Sequence, residues 1–266
     1  MIKKYVSVPV LVLGGGAAAF ALRLLEVRTG FEAATGLPIP GNLWRRLLVV
    51  LFIALAAALA LVGRTLPDEK EAPLASFAAA FSTVDAGMLV LPAAGVFLMA
   101  LSGAIDLGAA HSPGGLFLAA TALLSALALF PTVRACRRPG SRQAASGKPR
   151  DLKDTLLLVP VLCLVVRLVL TYRLDSIDPA LSAYYVELLA VVFLTLGFYR
   201  LSSFAFQVGR TPRFVQYAGA AVILCCAALA DGRGLSASLL YAGGGLTLLG
   251  FLLLRLKTLT KSKPSF

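Results

Sequence analysis

Eight long apolar runs divide the chain, at 6–25, 43–62, 86–106, 114–134, 154–173, 179–200, 214–231 and 235–256, each bounded by charged residues, glycine or proline. Each is close to the roughly 20 residues that an α-helix needs to cross a hydrocarbon core. The pattern therefore predicts an all-α, polytopic transmembrane bundle of eight helices. The apolar stretch 72–80 precedes the third run, but Asp85 makes one continuous span implausible, so 66–84 is expected to lie along the membrane interface as an amphipathic segment. The first run follows Lys3 and Lys4 and could pass for a signal peptide, yet its length and its likeness to the fifth run favour a retained span.

Several ends carry markers. Asn42 is placed to cap the second helix, with Trp44 at headgroup level, and Asp178-Pro179 and Thr211-Pro212 have the residues that open helices. Gly232 and Gly234 bracket a tight turn between the last two spans. Lysine and arginine set the orientation, because they accumulate on the cytoplasmic side. With the amino terminus inside, eighteen of the 25 fall in inside segments and six outside, while Arg167 lies within a span. Both termini are thus expected in the cytoplasm of a cell-membrane protein.

The two halves resemble each other. Val8-Pro9-Val10-Leu11 in the first run matches Val159-Pro160-Val161-Leu162 in the fifth. Val62-Gly63-Arg64-Thr65 ends the second run, and Val208-Gly209-Arg210-Thr211 follows the sixth. Ala86-Gly87 and Ala218-Gly219 stand near the starts of the third and seventh runs, with Asp106 and Asp231 near their far ends. An even number of spans per copy makes such repeats parallel, related by an axis along the membrane normal. The expected organisation is a four-helix repeat over 1–134, a basic cytoplasmic linker over 135–153, rich in Arg, Gly, Ser and Pro and without apolar period, and a second repeat over 154–266.

Composition agrees with the span pattern: 59% of the 266 residues are hydrophobic and only 14% charged, more apolar surface than one soluble core of this size absorbs. The net charge of +12 could point to nucleic acid. Its placement in short connections between apolar runs points instead to lipid headgroups, and no nucleic-acid partner is expected. Cys136 sits in the central basic segment and Cys163, Cys225 and Cys226 in apolar runs, where they read as small apolar fillers. Gly14–Gly16 and Gly243–Gly245 are faces for close helix packing; the context for a phosphate loop is missing.

Ionisable groups inside a bilayer are costly, so Arg167 and Glu187 are the first candidates for chemistry. Each lies ten positions from Ile177 in the hairpin joining the fifth and sixth runs, which predicts similar depth and a direct ion pair. Tyr172, Arg173, Tyr184 and Tyr185 surround them and complete the expected binding site. Arg23, Glu26, Arg28, Arg45 and Arg46 lie on the side with few cations. Glu26 is placed to pair with Arg23 or Arg28, and Arg45 and Arg46 to reach lipid phosphates, or an anionic ligand between the halves. His111 is the sole histidine, and no zinc-protease or serine-hydrolase motif surrounds it, so no enzyme activity, cofactor or metal is expected. The expected function is binding or transport of a small solute or lipid through a cleft between the two halves, with the bilayer as constant partner. The alternative is an anchor or accessory subunit for another membrane protein.

Overall fold

The computed structural model describes residues 2–32, 39, 41–66, 77–137, 155–175 and 181–261. Among them the protein is an all-helical bundle without strands. In chain order the helices are α1 (Ile2–Thr29), α2 (Leu43–Arg64), a short α3 (Phe77–Phe81), α4 (Gly87–Ala109), α5 (Pro113–Ala135), α6 (Val159–Asp175), α7 (Leu181–Ala205), α8 (Thr211–Ala228), continued by a 3₁₀ turn over Leu229–Asp231, and α9 (Leu235–Lys261). Seven of the eight long helices are long and apolar enough to cross a membrane. The chain is a multi-pass membrane protein.

The eighth, α6, has 17 described residues and starts later than its apolar run does. Residues 155–156 are helical, 157–158 turn, and the regular helix resumes at Val159. Pro160 explains the break, because its ring lacks an N–H and crowds the carbonyl four residues back, that of Leu156. The central linker, from 138 to 154, and the Asp178-Pro179 helix start lie outside the described residues, as do positions 67–76 of the expected interfacial stretch.

Several helix ends form as their residues dictate. The Asn42 side chain accepts the Trp44 N–H at 2.8 Å and the Arg45 N–H at 3.4 Å. Pro212 sits in the first turn of α8. Gly232 and Gly234 hold φ of +61° and +108°, the left-handed backbone that the tight turn into α9 needs.

α8 and α9 form the inner layer. α9 packs most extensively on α4, and α8 packs on α1, α2, α7 and α9, so helices of the two sequence halves interleave. α4 and α9 run antiparallel at very close range: a Cβ on Gly243 would sit 2.6 Å from the Gly95 carbonyl oxygen, and one on Gly250 2.5 Å from Pro92. Seven positions apart on α9, about two turns, these small residues let two backbones approach as they do in lipid-embedded bundles. The other glycines of the α9 triplet face other helices, Gly244 meeting Leu194 of α7 and Gly245 meeting Cys225 of α8. Ser102 donates to the Ser236 carbonyl at 2.8 Å near the far end of the same seam.

α3 does not float on the surface. Phe81 is fully buried, packed edge-on to Phe204, Phe214 and Phe251 with ring centroids 5.2, 5.7 and 5.6 Å away. Its aromatic payload is better buried in the bundle than left at an interface, so the segment plugs one end. Cys136 closes the same region: its carbonyl accepts the Thr83 N–H at 2.9 Å, and burial pushes its thiol up to about 12.

Candidate functional site

Two clusters of arginine occupy opposite ends of the bundle. The first gathers where α1 and α4 end and α2, α7 and α9 begin. Arg23, only 1% exposed, donates from Nη1 to Glu26 Oε2 at 2.8 Å and from Nε to Asp231 Oδ1 at 2.6 Å. Arg45 donates from Nε to Glu26 Oε1 at 3.0 Å, and the Tyr185 hydroxyl reaches Glu26 Oε2 at 3.1 Å. The Tyr185 ring lies under both guanidiniums, at 5.1 Å from Arg23 and 5.9 Å from Arg45. Beside this knot, Glu187 accepts from the Tyr241 hydroxyl at 2.7 Å and pairs with Arg233 at 2.9 Å. Arg167 donates to the Leu118 carbonyl at 3.4 Å and lies 3.7 Å from Asp106 Oδ2.

Among the described residues, the ion pairs at this end join Arg23, Arg45, Arg167 and Arg233 to Glu26, Asp106, Glu187 and Asp231, and the charges of this set cancel. Removing one partner would strand a buried charge, so the arrangement resists change. Asp106, from the first half, meets Arg167 of the second, and Asp231, from the second half, meets Arg23 of the first. The charges tie the halves together.

Arg167 and Glu187 do not form the direct pair their equal distance from the hairpin predicts. Depth is shared, but helix rotation aims Arg167 at α4 and α5 and Glu187 at α9, so each finds another partner. Tyr185 joins the network, whereas Tyr172 is 57% exposed and Arg173 is also exposed. The Tyr184 side chain lies outside the described residues. Glu26 pairs with Arg23 as its spacing allows, and Arg45 takes the same carboxylate instead of standing free for lipid phosphate. Arg233 and Tyr241 are functional-looking residues that sequence reasoning missed; the tight Gly232–Gly234 turn was the one local sign that Arg233 would be held near the bundle.

The opposite end has a different character. Arg64 at the end of α2, with Arg210 and Arg213 at the start of α8, lines a half-open hollow of about 600 Å³, with Gly63 and Gln216 in its wall. Among the described residues, none of these three arginines makes an ion pair or hydrogen bond through its side chain. The first turn of α8 also has no side-chain cap, because Arg210 occupies the cap position. Nearby, Arg200 lies over the Tyr199 and Tyr217 rings at 5.4 and 5.2 Å, and its buried Nε has no hydrogen-bond partner among the described residues. Arg255, by contrast, is fully engaged, donating to Thr211 Oγ1 at 2.9 Å over the Phe204 ring.

A separate apolar groove of about 210 Å³ lies further along the same two helices, α2 and α8. α2 and α7 both pack on α8 and leave its face between them open. Leu55, Leu59, Ile223 and Leu224 form the floor, and Ile53 and Leu189 are exposed on the sides. One turn separates Leu59 in the groove from Gly63 in the hollow, and one turn separates Ala220 from Gln216. Gln216 marks the border, donating to the Ala60 carbonyl at 3.4 Å. No protein-family model, curated protein or solved structure matches the chain.

Proposed function

We propose that this multi-pass protein binds membrane lipid, laying an acyl chain in the lateral groove between α2 and α7. α2 belongs to the first sequence half and α7 and α8 to the second, so the groove lies between the halves, where an internal duplication would put a cleft. The carrying observation is the groove itself, lined by aliphatic and aromatic side chains with its side walls exposed where the bilayer would be. From Phe52 to Arg64 along α2 is about 18 Å at 1.5 Å per residue. One leaflet of hydrocarbon is about 15 Å deep, so groove and hollow together match a chain and its headgroup.

The balanced charge network supports binding over passage. Its charges are mutually compensated within the bundle, and a solute crossing there would have to break them. The reading assigns the protein to the cell membrane with both termini in the cytoplasm, on the lysine and arginine bias, and gives it no catalytic role. The basic hollow then faces the cytoplasmic leaflet.

Lipid retained by the full chain in mild detergent, counted by mass spectrometry, tests the groove. Ala56→Trp with Ala220→Trp fills it, whereas Val50→Trp places a tryptophan on the exposed surface of α2 outside it. Retention should fall severalfold in the first variant and stay at the wild-type level in the second. Equal retention in all three proteins would discard lipid binding here. A second reading, an accessory subunit receiving a partner's helix, is favoured by Ala56 and Ala220, small residues of the kind that let helices approach in lipid.

A further inference from the structure

The two Val-Gly-Arg-Thr segments, 62–65 and 208–211, are far apart in sequence and take different backbone forms. The first closes α2, whereas the second spans the connection into α8. Both nevertheless arrive at one place: Gly63 and Arg64 from the first and Arg210 from the second line the same hollow, with Arg213 one turn into α8. Gly63 has a physical reason to be glycine, since a Cβ there would sit 2.9 Å from the Gln216 amide nitrogen. Any larger residue would push Gln216, the border group between hollow and groove.

We infer that these paired segments form a phosphate-headgroup site, in which Arg64, Arg210 and Arg213 bind the phosphate of an anionic lipid whose chain follows the groove. The inference deepens the lipid-binding reading and rests on it. Charge is the first support: three guanidiniums converge on a hollow with no carboxylate contributed by the described residues, and a phosphate oxygen is the acceptor that fits their fork geometry. Exposure is the second. Arg64 and Arg213 are exposed, so the hollow is reachable from the headgroup layer without opening the bundle. Position is the third, because the apolar groove begins one turn away and gives a headgroup bound there a place for its chain. A free phosphate has the same chemistry at its oxygens but no use for the groove.

The test is competitive capture by the full-length protein in detergent, with phosphatidylglycerol and diacylglycerol of matched chains offered together and inorganic phosphate added in a parallel arm. Wild type should enrich phosphatidylglycerol. Arg64→Gln with Arg213→Gln should lower the ratio of the two lipids captured by about tenfold, as expected for losing hydrogen bonds to a charged group. Arg64→Lys with Arg213→Lys, which keeps charge but loses the fork, should restore part of that ratio and shows that the glutamine protein failed at the site and not in folding. An unchanged ratio in the glutamine variant overturns the inference. So does inorganic phosphate that binds alone and abolishes the preference, since the site then serves a soluble anion. The groove variant separates the two layers. If Ala56→Trp with Ala220→Trp leaves total capture intact while the arginine variants lose selectivity, the groove reading fails and the headgroup site stands.

Discussion

At one end of the bundle Arg23, Arg45, Arg167 and Arg233 each lie against a carboxylate, and the most buried of them touches two. At the other, Arg64, Arg210 and Arg213 surround an open hollow and have no carboxylate among the described residues. The same residue type therefore does two jobs. Matched and buried, arginine fixes how helices sit against one another, because separating the charges would leave each unpaired away from water. Unmatched among the described residues and accessible, it leaves binding capacity for an anion that those residues do not supply. Burial and partner count distinguish the two, and neither is visible in composition.

Substitution should separate these roles by size of effect. Arg23→Leu takes the ion-pair partner from buried Asp231 and leaves Glu26 with Arg45 and Tyr185, and should cost about 3–5 kcal/mol, the usual range for breaking a buried pair. A lowered midpoint of thermal unfolding in detergent is the readout; a change within experimental scatter would show that this end is no lock. Glu187→Gln keeps an acceptor for the Tyr241 hydroxyl and loses only the partly exposed contact with Arg233, so about 1–2 kcal/mol is expected in the same assay. Tyr241→Phe should add about 1 kcal/mol to it, since the hydroxyl's bond to position 187 survives the first change and is lost only in the second. Asp85→Asn, which removes an exposed pairing with Lys257, should cost under about 1 kcal/mol. Smallest of all is Arg64→Gln with Arg213→Gln. Among the described residues these side chains make no ion pair or hydrogen bond, so stability without lipid should move by no more than about 0.5 kcal/mol.

Much of the architecture was legible from the chain. Apolar runs separated by charge mark helices because only that surface can face hydrocarbon, and the caps at Asn42 and Pro212 follow from local backbone needs. The start of α6 was not, although Pro160 stood in view; an apolar run says nothing of where its helix becomes regular. Pairing was harder. Arg23 and Glu26 lie three positions apart on one helix face, so their contact could be read directly. Asp231 joins them across 208 positions, and only packing of α1 on α8 brings it there. Arg167 and Glu187 show the limit most clearly. Counting residues from a turn gives depth, but helices apolar on every side leave their rotation undetermined, and rotation chose the partners. The two Val-Gly-Arg-Thr segments were visible as a repeat, yet their meeting at one hollow depends on α2 and α8 running side by side.

Lipid-dependent stability of the full chain offers the most direct test. A ligand that binds only the folded protein stabilises it by mass action, about 2.7 kcal/mol at 100 times its dissociation constant. Phosphatidylglycerol should raise the unfolding midpoint of the wild type more than diacylglycerol of the same chains, and that difference should vanish in the protein carrying Arg64→Gln, Arg210→Gln and Arg213→Gln. An equal rise with both lipids in the wild type, or an undiminished difference in the triple variant, would contradict the account.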